Sequence, residues 1–369
     1  MEKKFLIVAT VQEMVEGFLI PHIKLLESMG YQVWIAAKMD REIAEELRGN
    51  RWIDVDFSRN PFSKNSLGAV KELKKILSEN QFQGIHCHTP VAAFLARFAG
   101  AITDQKNVMY TAHGFHFYRG APVLNWMLYY PLEWLAAKWT DRIITMNRED
   151  FERAKTFTSE KTRVYRVDGV GVDIPKYSRG DGGKIRRELT LEERDFIITI
   201  IGELNGNKNQ IQLIKAVELL KKEGIESRVL IAGNGSKEEE LKEYVKKNTL
   251  EKNIYFLGLR KDITDVIAAS DILASMSYRE GLPRNIMEGM AQGKPFVATD
   301  IRGNRDIIRD GINGYLVKPD DVEGTAQKIR VLMNREVAEP IKIQNLRDVN
   351  RFSIEKILEE MAKIYGENI

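Results

Sequence analysis

Short apolar runs alternate along this chain with longer segments in which apolar residues recur every three or four positions. Such alternation is typical of βα units and predicts an α/β protein with a parallel sheet in each half. The runs predicted as strands are residues 5–10, 32–37, 84–88, 108–111 and 141–146, then 196–202, 228–233, 254–258, 271–276 and 296–299. The predicted helices include residues 21–29, 67–79 and 354–365, and others begin near residues 209, 237, 263, 283 and 303.

A segment rich in glycine and charge, between residues 168 and 194, separates the two halves. The 369 residues fit two domains of ordinary size. We therefore predict an N-terminal Rossmann-like domain over residues 1–172 and a C-terminal Rossmann-like domain that begins at residue 173. Two such domains form a deep cleft, and open α/β sheets bind ligands at the carboxyl ends of their strands.

The predicted strand 271–276 leads into a loop that opens a helix, and two carboxylates flank this transition. Glu280 precedes the loop residues Gly281 and Pro283, and Glu288 lies inside the helix. Backbone N–H groups at a helix start attract phosphate. Ionised glutamates accept hydrogen bonds from hydroxyl groups. This stretch therefore predicts a site for a ligand that combines phosphate with sugar hydroxyls, as a nucleotide sugar does.

Composition narrows the class of protein. Apolar residues make up 43% and charged residues 30% of the chain, which is typical of a globular protein. The apolar start at residues 5–10 indicates a first strand rather than a secretory signal, and the single Cys87 fits a reducing cytoplasm. The net charge of +3 is spread over both halves, which argues against a nucleic-acid partner. We expect a cytoplasmic protein.

Several short motifs follow one another in a characteristic order. In the second half they include Gly202 with Lys208, the Gly233–Gly235 turn, Arg260, the Glu280/Glu288 pair, and residues 293–299 and 310–317. In the first half they are residues 21–26, 86–90 and 110–117. Together the chain resembles the GT-B fold glycosyltransferases of family 4, over nearly its whole length, and within them the subset that builds capsule and exopolysaccharide repeat units.

The resemblance implies two Rossmann-like domains facing across a cleft, the second over residues 173–350, with a C-terminal helix at 351–369 that packs back on the N-terminal domain. It implies a retaining transfer from a UDP-sugar to a polyprenol-diphosphate-linked saccharide acceptor, without a metal ion or cofactor. It also implies a place in the synthesis of bacterial surface polysaccharide.

The resemblance further assigns roles to individual residues. Glu280 holds hydroxyls of the donor sugar, Glu288 holds the ribose diol, and Lys208 neutralises the phosphates as the bond breaks. The implied catalytic residues are His113, Glu280 and Lys208. The implied donor-binding residues are Gly17, Gly202, Glu203, Asn207, Arg260, Gly281, Leu282, Pro283, Arg284, Asn285 and Glu288. The implied acceptor-side residues are His88, His116 and Tyr118.

The chain departs from the family pattern at two places. The family usually has an arginine where Glu203 stands, so Lys208, with Arg284 or Arg302, must supply charge to the diphosphate. The usual pair of glycines in the loop after the first strand is also absent. Residues 11–17 replace that loop and leave Gly17 as the candidate for close backbone approach.

Several motifs have a second explanation. His113 at a strand end either contacts the donor or bonds loop backbone. His86 and His88 project to one face of a strand, as zinc ligands could, but no clear third ligand accompanies them. Asp54 and Asp56 match the Asp-x-Asp of metal-dependent GT-A enzymes, yet their alternating strand places both on the solvent face.

Residues 233–236 follow a strand as a dinucleotide fingerprint would, but the third glycine is missing. Ser236 with Glu239 instead forms a predicted helix-capping box. The aromatic segment 125–138 is either a core helix or a peripheral contact with the inner membrane face, where Arg119, Lys138 and Arg142 meet anionic headgroups. A UDP-sugar epimerase and a non-catalytic nucleotide-sugar-binding protein remain as alternative functions.

Overall fold

The chain folds into two compact units of similar architecture. The structure, a computed structural model, describes residues 3–58 and 63–367. One unit comprises Met1–Val170 together with Glu355–Ile369, and the other comprises Gly171–Ile354. The predicted domain limits, at residues 172 and 350, lie near these two transitions. The first unit is therefore assembled from two separate segments of chain.

The first unit contains a seven-stranded parallel sheet with the order β3-β2-β1-β4-β5-β6-β7. Its strands are β1 (Lys3–Val11), β2 (Tyr31–Lys38), β3 (Arg51–Asp54), β4 (Phe82–His88), β5 (Val108–Ala112), β6 (Arg142–Thr145) and β7 (Arg163–Arg166). Its helices are α1 (Gln12–Met14), α2 (Ile20–Ser28), α3 (Lys64–Glu79), α4 (Pro90–Ile102), α5 (Val123–Ala137) and α6 (Arg148–Lys155). A π-helical turn, Val15–Leu19, joins α1 to α2, and a short 3-10 turn spans Glu45–Leu47.

The second unit contains a six-stranded parallel sheet with the order β10-β9-β8-β11-β12-β13. Its strands are β8 (Ile197–Ile201), β9 (Arg228–Ala232), β10 (Ile254–Gly258), β11 (Ile272–Ser275), β12 (Phe296–Thr299) and β13 (Tyr315–Val317). Its helices are α7 (Ile174–Tyr177), α8 (Gly182–Glu188), α9 (Gln210–Lys222), α10 (Glu238–Lys247), α11 (Ile263–Ala269), α12 (Arg284–Met290), α13 (Arg302–Ile307), α14 (Val322–Met333) and α15 (Arg335–Asp348). A 3-10 turn, Val349–Phe352, precedes the last helix, α16 (Ile354–Gly366).

Both sheets are covered by helices on both faces, which explains why their strands are apolar runs rather than alternating ones. In β1, Phe5 and Ile7 pack into one core cluster, whereas Leu6 and Val8 pack into another on the opposite face. The predicted α/β class with two parallel sheets is confirmed. Among the residues that the structure describes, no helix is long and apolar enough to span a bilayer.

The C-terminal helix α16 completes the core of the first unit. Ile357, Met361, Ile364 and Tyr365 recur on one face of the helix and are buried in the cluster that also contains Phe5. The Tyr365 ring lies edge-on to Phe5, with ring centroids 5.7 Å apart. The expectation that the last helix returns to the N-terminal part of the chain is confirmed.

The structure corrects one predicted helix start. Helix α10 begins at Glu238 with Lys237 as its N-cap residue, so the capping box predicted for Ser236 and Glu239 is wrong. The chain is still turning through the glycine pair at that point, because Gly235 has a positive φ of 156°. A Cβ atom at Gly235 would lie 2.4 Å from the carbonyl oxygen of Leu204. These glycines thus allow two loops of the second unit to approach closely.

Candidate active site

The second unit brings Lys208 and Glu280 together at the carboxyl ends of neighbouring strands. Lys208 follows β8 and Glu280 follows β11, and β8 and β11 pair directly. The Lys208 Nζ donates to Glu280 Oε1 at 2.7 Å. Both side chains keep some exposure, 25% for Lys208 and 15% for Glu280. The pair therefore joins one cation and one carboxylate where solvent and a ligand can still reach them.

The loop after β8 is shaped to direct Lys208 toward this pair. Asn205 Oδ1 accepts hydrogen bonds from the backbone N–H of Asn207 and of Lys208, both at 3.0 Å. The Lys208 side chain passes over Gly202, whose Cβ would lie 3.4 Å from Lys208 Cε. Gly202 has a positive φ of 151°, which a glycine adopts without strain. Of the predicted donor-binding residues, Gly202 thus leaves room for the Lys208 side chain. The N–H of Asn207 is held by the same Asn205 oxygen that holds the N–H of Lys208.

Two asparagines tie the loops of the site to each other. Asn207 Nδ2 donates to the carbonyl oxygen of Arg279 at 3.0 Å, and the Asn207 carbonyl accepts from the N–H of Tyr278 at 2.8 Å. Asn285 Nδ2 donates to the carbonyl oxygen of Ile201 at 3.0 Å. The loop after β11 is therefore held against the end of β8, which fixes where Glu280 stands.

The segment between Glu280 and helix α12 is packed closely by α13. A Cβ atom at Gly303 would lie 2.4 Å from the carbonyl oxygen of Gly281. Arg302 Nε donates to the carbonyl oxygen of Glu280 at 3.2 Å. Leu282 packs on the core cluster that contains Ile286, and Pro283 immediately precedes α12. The start of α13 thus holds the main chain of Glu280 and Gly281 in place, a role for Gly303 that the sequence did not reveal.

Glu288 lies in the second turn of α12 and is only 8% exposed. Arg284, one turn earlier, places Nε 3.0 Å from Glu288 Oε1, and the Tyr177 hydroxyl donates to the same carboxylate. Burial raises the pKa of Glu288, and the positive charge of Arg284 opposes that rise. Tyr177 belongs to α7, far away in sequence, and no pattern in its short helix indicated this contact.

Two predicted donor-binding residues are engaged with other groups. Arg260, just after β10, forms ion pairs with Glu188 at 2.6 Å and with Asp262 at 2.8 Å, and these partners raise its pKa. Glu203 is exposed and accepts a hydrogen bond from Asn205 Nδ2 at 2.9 Å. The structure brings neither side chain into contact with Glu280 or Glu288. A role for Arg260 beside the base stays a prediction.

A group of imidazoles lies at the ends of β4 and β5 in the first unit, where His86 and His88 are buried and His113 is partly exposed. His88 Nδ1 lies 3.1 Å from His113 Nε2, and the ring centroids of His86 and His88 are 4.1 Å apart. Burial lowers the pKa of His113 to about 4 and that of His88 well below its usual range. These histidines are therefore neutral near pH 7. They border a small cavity lined by Leu19, His22, His88, Thr111, His113, Ile144, Met146, Val167, Gly169, Val170 and Met361.

The shared face predicted for His86 and His88 is confirmed, but His86 is a structural residue. Its Nδ1 lies 2.8 Å from the Tyr365 hydroxyl, and its Nε2 lies 2.7 Å from Thr111 Oγ1. Both ring nitrogens are thus occupied by protein groups. Across the described parts of the chain, residues 3–58 and 63–367, no group of three or more His, Cys, Asp or Glu side chains could hold a metal ion.

The predicted acceptor-side residues His116 and Tyr118 lie in the segment between β5 and α5. The His116 ring stacks on Tyr129 with centroids 4.5 Å apart, and its carbonyl accepts from Asn125 Nδ2 at 3.1 Å. The Tyr118 carbonyl accepts from the N–H of Ala121 at 2.9 Å. Helix α5 therefore orders this segment.

The predicted loop at residues 11–17 is wrong, because the chain passes from β1 directly into helical turns. Val15 and Leu19, one turn apart, are buried in the core, and Gln12 Nε2 donates to Glu16 Oε1 at 2.8 Å. Gly17 lies on the exposed side of the π-helical turn, and a Cβ there would meet nothing within 4 Å. The protein's own packing does not require a glycine at position 17.

The Asp54–Asp56 alternative receives no support from the structure. Both residues are exposed, as expected. Asp56 Oδ1 accepts from Lys38 Nζ at 2.8 Å, and Asp54 Oδ1 accepts from the N–H of Met39 at 2.9 Å. These two carboxylates therefore form hydrogen bonds at the surface of the first sheet, with partners at the end of β2.

Comparison with known proteins gives two family matches. The family described as Glycosyl transferases group 1 matches residues 181–348, and the family described as Glycosyltransferase Family 4 matches residues 21–167. A Bacillus subtilis (strain 168) protein named "Putative glycosyltransferase EpsD" is 38% identical, over 99% of this chain and 97% of its own length. These matches cover both units of the structure.

Two further proteins are similar over most of the chain. The Escherichia coli UDP-Gal:alpha-D-GlcNAc-diphosphoundecaprenol alpha-1,3-galactosyltransferase is 26% identical over 81% of both chains. The crystal structure of Anabaena Alr3699/HepE in complex with UDP and glucose has a TM-score of 0.84 and 21% identity, and covers 99% of this chain and 100% of its own. The structural likeness confirms the expected GT-B fold.

Proposed function

Because this chain belongs to the family 4 glycosyltransferases of GT-B fold, we propose that it transfers a hexosyl or N-acetylhexosaminyl group from a UDP-sugar with retention of configuration. The observation that carries this proposal is the 2.7 Å contact between Lys208 and Glu280 at the ends of β8 and β11. The pair combines a cation for phosphate with a carboxylate for sugar hydroxyls. The loops after β8 and β11 hold both side chains in position.

Bond breaking in this proposal depends on charges that the chain itself supplies. The acceptor oxygen attacks the anomeric carbon as the bond from that carbon to the diphosphate breaks. The bonding electrons leave with UDP, and the proton of the acceptor hydroxyl goes to the departing phosphate. Lys208, assisted by Arg284 or Arg302, stabilises the growing negative charge, which is electrostatic preorganisation. No metal ion or cofactor is required in this scheme.

The remaining roles follow the same chemistry. Glu280 accepts hydrogen bonds from the donor sugar, and backbone around Gly281, Leu282 and Pro283 binds the diphosphate. Glu288 accepts from the ribose diol, with Arg284 and Tyr177 orienting its carboxylate. His113 contacts the donor as a neutral imidazole, a state supported by its lowered pKa.

The acceptor in this proposal is a saccharide linked to polyprenol diphosphate. The name of the Escherichia coli relative specifies a diphosphoundecaprenol-linked acceptor and a UDP-galactose donor. The acceptor-side residues are His88, His116 and Tyr118. We place the reaction in bacterial surface polysaccharide synthesis at the inner face of the membrane, with the protein cytoplasmic or peripherally bound.

The direct test is a transfer assay with purified protein. A panel of UDP-sugars is incubated with a short-chain lipid-diphosphate saccharide, products are detected by mass, and the anomeric configuration is determined by NMR. We expect one UDP-sugar to react, with retention, equally well in the presence of a chelator. Product of inverted configuration, or activity abolished by the chelator, would contradict the proposal. A UDP-sugar incubated without acceptor shows by NMR whether the protein acts instead as an epimerase.

Two substitutions test the residue roles. Lys208→Ala and Glu280→Ala are each expected to lower kcat by about 10²–10³, because each removes a group that acts on developing charge or on donor orientation. Lys246→Ala and Glu243→Ala, at exposed positions of α10, serve as matched controls. Circular dichroism checks that all four variants are folded. Near-normal kcat in the first two variants would rule out this site.

A further inference from the structure

Helix α5 exposes an apolar face to solvent. Val123, Leu124 and Met127 are 74%, 71% and 71% exposed, and Leu128, Trp134 and Leu135 are also exposed. We call these six residues the α5 surface. They recur at helical spacing on one side of α5, whereas its opposite side packs Trp126, Tyr129 and Tyr130 against the core. A helix that is apolar on all sides is normally enclosed, and this one is not.

The absence of charge on this face has a structural origin. Arg97 is the only charged residue of α4, and Glu133 is the only charged residue of α5. Both guanidinium Nη atoms of Arg97 donate to Glu133 Oε2 at 2.9 Å, and the Tyr110 hydroxyl donates to Glu133 Oε1 at 3.1 Å. The charges of both helices are therefore buried between them, and their outer faces are left uncharged.

The apolar area continues from α5 onto the end of α4. Trp139, just after α5, packs against Phe98 of α4, with ring centroids 5.4 Å apart. Phe98 and Ile102 are themselves 37% and 46% exposed. An exposed apolar area that extends over two helices is unusual on a soluble protein and indicates an interaction surface.

Basic side chains lie at both ends of α5. Lys138, the C-cap residue, places Nζ 3.9 Å from the centroid of the Trp134 ring. Arg119 is exposed in the segment that leads into the helix. An apolar face with cationic ends complements a layer of anionic headgroups above acyl chains.

We propose that the α5 surface docks on an anionic lipid bilayer, with the helix lying in the plane of the interface. Fifteen helical residues span roughly 22 Å, less than the ~30 Å of a bilayer core. A second copy of this chain is a poorer occupant, because a symmetric contact would set the cationic ends of α5 against the same uncharged or cationic face. The docking deepens the proposed function and rests on it for its purpose, which is to reach an acceptor anchored in the membrane.

The test is sedimentation of the full-length protein with vesicles of equal parts phosphatidylcholine and phosphatidylglycerol. We expect binding by the unmodified protein, and a loss of roughly tenfold or more when Leu124→Ser and Met127→Ser are combined, because two large apolar side chains leave the interface. Leu67→Ser is the matched control, since Leu67 is 73% exposed on α3 of the same unit. Lys138→Ser is expected to weaken binding several-fold, and Lys74→Ser on α3 is its control.

Several results would overturn the docking proposal. They are no vesicle binding by the unmodified protein, equal binding by the Leu124/Met127 variant, and dimers in solution that the same variant dissociates. Sugar transfer to a water-soluble acceptor separates the docking from the reaction, because the variant is expected to keep that activity. An unmodified protein that binds vesicles but transfers no sugar would contradict the proposed function and still support the docking surface.

Discussion

Gly303 shows how a single residue sets the position of the candidate site. Its missing side chain allows the carbonyl oxygens of Gly281 and Glu280 to lie where a Cβ would come within 2.4 Å and 3.1 Å of them. These are backbone atoms, which cannot move aside as the end of a flexible side chain can. The main chain that carries Glu280 therefore depends on a glycine in the neighbouring helix.

We predict that Gly303→Ala lowers kcat/KM for the donor by about tenfold or more while the protein stays folded. The added methyl group displaces the Glu280 loop, and a 1 Å misplacement of a catalytic group can cost about 10²-fold in rate. Steady-state kinetics with the UDP-sugar and a thermal melt measure the two effects. Gly68→Ala is the control, because a Cβ at Gly68 on α3 would meet nothing within 4 Å. Unchanged kinetics in Gly303→Ala would show that the loop tolerates the shift.

Individual residues also show what the sequence alone could provide. The family resemblance assigned Lys208 and Glu280 to one site, and the structure places them in contact at the ends of two paired strands. Tyr177 was not predicted to contact Glu288, because four helical residues carry no periodic signal that relates them to a distant helix. The contact between Gly303 and Gly281 depends on tertiary packing in the same way.

At the scale of elements, the buried ion pair between α4 and α5 makes a specific prediction. Arg97→Met is expected to destabilise the protein by roughly 3–5 kcal/mol, because it leaves the Glu133 carboxylate buried without its cationic partner. Chemical denaturation measures the change in the free energy of unfolding. Arg97 is fully buried, so solvent cannot replace the lost contact.

The matched control for this ion pair is the double variant Arg97→Met with Glu133→Leu. Removing both charges leaves no unpaired charge, and only the neutral Tyr110 hydroxyl loses its acceptor. The double variant is therefore expected to be more stable than Arg97→Met alone. Equal destabilisation in the single and double variants would indicate that packing, rather than charge, explains the effect.

The elements that the sequence predicted well are those buried on both faces. The strands β1, β2, β4 and β5 have continuous runs of buried residues, and the predicted bounds lie within a few residues of the observed ones. Strand β7 (Arg163–Arg166) was missed, because it is a short edge strand with a charged residue at each end. Residues 11–17 were expected to replace the family's loop, with Gly17 as the point of close backbone approach, whereas the burial of Val15 and Leu19 stabilises helical turns there.

At the scale of the whole molecule, the histidines with lowered pKa values predict a loss of stability in mild acid. The pKa values of His22 and His113 are each lowered from 6.5 to about 4 by burial. Between those values the unfolded chain binds more protons than the folded one, so stability falls as pH falls below 6.5. At pH 5 each such histidine lowers the free energy of unfolding by about 2 kcal/mol relative to its value at pH 7.

Urea denaturation at pH 7 and at pH 5 tests this expectation. Other groups also titrate in this range. The informative quantity is therefore the decrease in unfolding free energy from pH 7 to pH 5, compared between the unmodified protein and a His22 variant. In His22→Gln the decrease in unfolding free energy from pH 7 to pH 5 is expected to be smaller by about 2 kcal/mol, because the neutral amide takes up no proton in either state. The same decrease in both proteins would show that His22 titrates equally in the folded and unfolded chains.

The two-segment assembly of the first unit has a consequence for synthesis on the ribosome. The helix that supplies Ile357, Met361 and Tyr365 to its core is translated only after the whole second unit. Residues 171–354 emerge in between, which takes on the order of 10–40 s at typical elongation rates. The second unit can therefore finish folding while the nascent first unit still exposes the apolar surface that α16 will cover, and during that interval the growing chain is a natural client for chaperones.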